Sequence, residues 1–142
     1  MRSRPIRHDA RASRRAGASA VEMAFVAPVL LLIVFGLFEI AHAFMVQHLI
    51  QDAARQGCRV GISFRKTNAT VQDTVNRLLQ AEGIAGANTT ITVNGTTSDV
   101  SVAPAGADIQ VRITLAASQV SLFPGSGYLT GQLTATSDMR HE

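Results

Sequence analysis

An unbroken apolar stretch from Met23 to Phe38, with only Gly36 and Pro28 as exceptions to large or aliphatic residues, decides what this chain can become. Its sixteen residues fall short of the roughly 20 that a helix needs to cross a hydrocarbon layer. Ile40 to Val46 continues the run with His42 as its polar member, so a membrane-spanning helix is expected, with Glu39 near an interface. Arginines crowd the N-terminal side, and the next one after the run is Arg55. The positive-inside rule then leaves the N-terminus cytoplasmic and everything after Val46 across the membrane.

A chain of 142 residues has room for such an anchor and one small module. The net charge of +3 misleads, because Arg2, Arg4, Arg7, Arg11, Arg14 and Arg15 all precede Gly17 and face only Asp9 there. From Ala18 onward seven basic residues meet nine acidic ones, so the body lacks the basic field of a nucleic-acid binder. Cys58 is the single cysteine, and an internal disulfide is excluded.

Two acids bracket the apolar stretch. Glu22 and Glu39 stand seventeen residues apart, about 25 Å along a helix at 1.5 Å per residue, close to the roughly 30 Å of hydrocarbon. A carboxylate at the bilayer centre costs about 3 kcal/mol on insertion scales. Glu39 is either simply interfacial or paired with His42, one turn on.

Upstream, Arg14-Arg15-Ala16-Gly17-Ala18-Ser19-Ala20-Val21-Glu22-Met23 sets basic residues, a glycine, a glutamate at the fifth position after it and then the apolar helix. This layout resembles a type IV prepilin leader. The resemblance implies a cut by a prepilin peptidase between Gly17 and Ala18, with the helix kept by the mature protein. It further implies that Glu22 neutralises the new Ala18 amine of a neighbouring subunit, since a buried charge pair is tolerated where a lone charge is not. Val21-Glu22, Pro28, Glu39 and the element Ala53-Ala54-Arg55-Gln56-Gly57-Cys58-Arg59 narrow the likeness to the TadE-like minor pilins of tight-adherence systems, as does the charged ending Met139-Arg140-His141-Glu142. Major pilins of such systems carry Tyr after the glutamate, where Met23 stands here, which favours a pseudopilin. The resemblance implies a bacterial inner-membrane protein, single-pass, taking part in pilus assembly or secretion and able to enter a surface pilus. Its partners would be the prepilin peptidase, other pilin-type subunits, the assembly platform and membrane lipid, with no nucleic acid and no cofactor.

A rival reading takes the same stretch as a secretory signal. Ala41-His42-Ala43 fits an A-x-A cleavage pattern, and a signal peptidase cutting after Ala43 would release residues 44–142 as a soluble domain. The overlong leader and apolar run count against it, and it leaves the Gly17 to Glu22 spacing unexplained.

Beyond Val46 the three- and four-residue recurrence of Val46, Leu49, Ile50, Ala53, Ala54, Gly57 and Cys58 predicts that the helix continues to about Arg59, with Gln47, His48, Gln51, Asp52, Arg55 and Arg59 on its other face. Ala53, Gly57 and Gly61 form a small-residue stripe suited to close approach, either by the protein's own strands or by another subunit. Thr67 to Glu82 reads as a second amphipathic helix with Thr or Asn as N-cap and Gly83 as terminator. After Ile84 the period becomes two. Thr90 to Val93, an Asn94-Gly95 turn, then Val100 and Val102 read as a hairpin, Asp108 to Leu115 alternates throughout, and Leu129, Leu133, Ala135 and Met139 mark a last strand. Ser121 to Tyr128 is a loop carrying Phe123 and Tyr128.

The fold class is therefore α+β: a long N-terminal transmembrane and stalk helix, then a small extracytoplasmic head with a short helix and an antiparallel sheet. The boundaries are a basic prepilin-type leader at 1–17, a transmembrane helix at 18–46, and the stalk continuation with its head at 47–142. Neither His48 with Asp52 nor Glu39 with His42 reaches three ligands at metal-site spacing, so no metal site and no catalytic residues are assigned and a non-enzymatic role is expected. Cys58, between Arg55 and Arg59, is either a thiol of lowered pKa or a small buried hydrophobe.

Overall fold

The computed structural model describes residues 10–63, 65–122 and 130–141, and the backbone alone for 10–16 and Ala18. The first nine residues of the leader, Phe123 and Tyr128 of the aromatic loop, Leu129 and the final Glu142 lie outside the described residues. Helix α1 spans Ala10–Gly61 and α2 spans Asn68–Ala81; the strands are β1, Asn88–Val93, β2, Asp108–Ala116, and β3, Gln132–Arg140. Chain contacts divide the molecule into two units, Met1–Phe38 and Glu39–Glu142.

In the first unit the helix runs back through the leader to Ala10, earlier than the Ala18 start expected from the sequence. Alanine and arginine are among the better helix formers, and they dominate Ala10 to Ala20. Pro28 is accommodated inside the helix. Large apolar side chains stand exposed all round, Phe25 at 76% and Met23 at 65% among them. A helix apolar on every side has no stable place in water and calls for lipid or protein around it.

The second unit is a three-stranded antiparallel sheet in the order β1-β2-β3, covered on one face by helix. Period-two alternation puts Ile109, Val111, Ile113 and Leu115 of β2 into the core beside Ile91, Val93 and Ala135. Val46, Ile50, Ala53, Ala54 and Cys58 of α1 and Val71, Val75 and Leu79 of α2 complete it. Truncating a fully buried aliphatic such as Ile50 to Ala at this density costs about 2–5 kcal/mol. A Cβ added to Gly57 would lie 2.8 Å from the Val75 side chain and 3.4 Å from Val111, and one added to Gly61 would lie 3.2 Å from Ile109. The small-residue stripe thus packs against the chain's own α2 and sheet.

Local signals set the ends of α2. The Thr67 hydroxyl accepts from the Thr70 amide at the N-cap. At the other end Gly83 takes φ +74°, the Gly83 amide donates to the Gln80 carbonyl and the Ile84 amide to that of Leu79, which is the Schellman arrangement with Ile84 folded back onto the core.

One strand assignment fails. Asn94 and Gly95, both at positive φ, do make a tight turn in which Val93 and Thr96 exchange backbone hydrogen bonds. The chain does not return along β1, however, and Val100–Val102 is a 3-10 turn. Asn68 at the head of α2 takes hold of it, donating to the Ser98 carbonyl and accepting from the Val100 amide. Asp99 caps the turn by accepting from the Ser101 amide, and hydrogen bonds from the Ser101 hydroxyl and amide hold its carboxyl below the usual range. β2 fills the place beside β1 instead, in the register Ile91 with Val111.

Candidate functional site

The residues singled out in the sequence fall into three groups along α1. Gly17 and Ala18 are neighbours in one turn of the helix and, because residues four apart share a face, Glu22 stands one turn beyond Ala18. Gly17 and Glu22 are exposed, and a Cβ on Gly17 would meet nothing within 4 Å. The backbone around this glycine is helical.

Glu39 is the opposite case. It is 1% exposed, and its carboxylate accepts from the Ser121 hydroxyl and, at 3.1 Å, from the Leu122 amide. The two donors face different oxygens, so among the described residues the pairing with His42 is not realised. Burying a carboxylate costs several kcal/mol unless donors replace the lost water, and two donors to separate oxygens do that. Ser121 lies 82 residues away, and nothing local to Glu39 announces it.

The third group is the stalk element. Ala53, Ala54 and Cys58 are buried and Gly57 is pressed against α2, whereas Arg55 and Arg59 are exposed. Arg55 pairs with Asp52 at 3.3 Å, a solvent-facing contact worth a few tenths of a kcal/mol. Cys58 is fully buried, with its sulfur 3.0 Å from the Ser137 carbonyl oxygen, and burial pushes its thiol up rather than down. The buried-hydrophobe reading of Cys58 is the correct one.

Sequence periodicity misplaced two residues. Gln47 and Gln51, assigned to the outward face of α1, turn to the edge of β3, where their amide groups donate to the carbonyls of Thr134 at 2.9 Å and Thr136 at 3.0 Å. Unpaired carbonyls on an edge strand invite association with other chains, and the two glutamines occupy two of them. Their spacing of four was legible, but their partners lie more than eighty residues downstream. Among the described residues no group of three or more His, Cys, Asp and Glu could hold a metal ion.

An exposed apolar helix of mean hydropathy 2.5, long enough to span a membrane, joined in sequence to a small α+β head, defines a class: a protein with, among the described residues, one candidate membrane anchor. Within that class, the family model of the TadE-like proteins matches residues 17–59, from the glycine of the leader to the last arginine of the stalk element. The chain is similar to TadE-like proteins over that segment. No curated protein and no solved structure matches it.

Proposed function

We propose that this protein is a TadE-like pseudopilin, a non-enzymatic, membrane-anchored subunit that takes part in tight-adherence pilus assembly. The observation that carries the reading is the coincidence of the family match at 17–59 with the helix that holds both the leader glycine and the exposed apolar span. In this reading residues 1–17 are a cytoplasmic leader removed by a prepilin peptidase between Gly17 and Ala18, residues 18–46 cross the inner membrane, and residues 47–142 stand outside the cytoplasm. Gly17 supports the role because it is exposed and carries no side chain to obstruct a protease. Glu22 pairs with the Ala18 amine of an adjacent pilin-type subunit, the exposed helix supplying the low-dielectric packing surface. Pro28, Ala53, Ala54, Arg55, Gly57 and Arg59 shape the helix and its seat on the head.

Mass spectrometry of the intact protein, from cells with and without a prepilin peptidase, tests this directly. The expected mature chain begins at Ala18 only when the peptidase is present. A chain beginning at Phe44 in both strains would establish the secretory reading and refute this one.

A further inference from the structure

Glu39 and Leu122 raise a question that anchoring alone does not answer. A carboxylate at a water interface needs no shelter, because water itself solvates it, yet Glu39 is fully enclosed and both its oxygens take donors from one short segment of the head. Such enclosure suits a site where water is scarce. The side chain of Leu122, whose amide closes the arrangement, is 48% exposed, and Ile40, Phe44 and Met45 on the part of α1 with which this unit begins are also exposed. Of the exposed large hydrophobic residues described in the second unit, only Val102 stands apart from this group in sequence and in bonding. Beside Phe44 a groove of about 320 Å³, lined by Ile40, Ala43, Phe44 and Leu133, offers methylene-sized space on a mainly apolar wall.

We infer that the head rests in the membrane, with Leu122, Phe44 and the adjoining groove immersed in the acyl-chain region of the lipid, and that Ser121 and Leu122 serve as internal solvent for Glu39 at that depth. The occupant of this surface is phospholipid. Two observations favour it over another protein: the apolar exposure continues in sequence directly from the exposed run that ends at Phe38, and the acid within it is satisfied without any outside partner. A protein interface would leave Glu39 free to seek a cation across it; the acyl chains of a lipid offer none, and the head provides the donors itself. The inference rests on the membrane anchoring proposed above.

The chain contains no tryptophan, so a single one reports its own surroundings. Leu122→Trp, Phe44→Trp, Val102→Trp and Leu30→Trp would each be prepared as the full chain in vesicles of phosphatidylcholine and phosphatidylglycerol. Quenching by lipid brominated along the upper acyl chain is compared with quenching by aqueous iodide. Leu122→Trp and Phe44→Trp should lose most of their emission to brominated lipid and little to iodide, and Val102→Trp should do the reverse. Iodide quenching of both at the level of Val102→Trp would overturn the inference while lipid quenching of Leu30→Trp upheld the anchor. Protection of both from lipid and iodide alike would also overturn it, by showing that a second protein surface covers them. Were Leu30→Trp itself untouched by lipid, the anchoring would fall and this inference with it. Residue 44 belongs to the span already assigned to the membrane, so Leu133→Trp, on the head wall of the same groove and outside the Glu39 hydrogen bonds, is read in the same way and keeps the test decisive if Leu122→Trp disturbs them.

Discussion

Cys58 is a thiol kept protonated by its surroundings. Burial raises it, outweighing the hydrogen bonds with Ser137 and the Val111 backbone, and Asp138 adds to the rise. A raised pKa in the folded state means that its contribution to stability is complete below the ordinary value of 9.0 and is lost as pH climbs through the folded value, because the unfolded chain then gives up a proton that the folded chain retains. The unfolding free energy from urea titration should therefore decline as pH rises above about 9.0, by at most about 1.4 kcal/mol per pH unit from this group. Cys58→Ala should flatten that part of the profile; an unchanged slope would assign the alkaline loss to other groups. Glu22 poses the complementary problem, an acid exposed on the helix of the single chain. Glu22→Ala should leave a protein that inserts and is still processed. It should nonetheless crosslink poorly to other pilin-type subunits, since stripping one partner from a buried pair costs about 3–5 kcal/mol. Wild-type crosslinking and wild-type pilus counts would reduce Glu22 to an interfacial charge.

At the scale of elements, the edge of β3 depends on side chains borrowed from α1. Replacing Gln47 and Gln51 together by Ala should lower the unfolding free energy of the detergent-solubilised chain by about 1 kcal/mol per lost hydrogen bond and raise its tendency to associate through sheet edges. Light scattering alongside urea titration measures both, and an unaltered association state would mean that α1 shields the edge by bulk alone. These glutamines also show where sequence reading stopped. The ends of α2 were legible because Thr67 and Gly83 act on backbone groups within a few residues of themselves, and β2 because burial on one face imposes its own alternation. Gln47, Gln51, Ser121 and the turn at Val100–Val102 were not, since each is decided by a partner distant in sequence: a β3 carbonyl, the Glu39 carboxylate, or Asn68. The leader glycine and the two acids could be found by spacing, whereas the opposite surroundings of Glu22 and Glu39 could not.

For the whole molecule, the proposed topology makes extraction and orientation measurable. A phosphatase fused after Glu142 should be active, and detergent rather than high salt should be needed to release the protein; an inactive fusion expressed at normal levels would reverse the assigned orientation. The glutamine contacts on β3 have a further consequence, in the order of events during synthesis and export. Gln47 emerges early, but the carbonyl it holds belongs to Thr134, 87 residues later. The loop between them must close before the bond can form, and contacts of such long separation are the slow ones in folding. In the proposed topology, the β2 edge and the two glutamine amides of α1 lack their partners until β3 has crossed the membrane, so the sheet cannot be completed before then. In that topology, delivery of the last strand is the step that closes the β2 edge and fills both glutamine contacts.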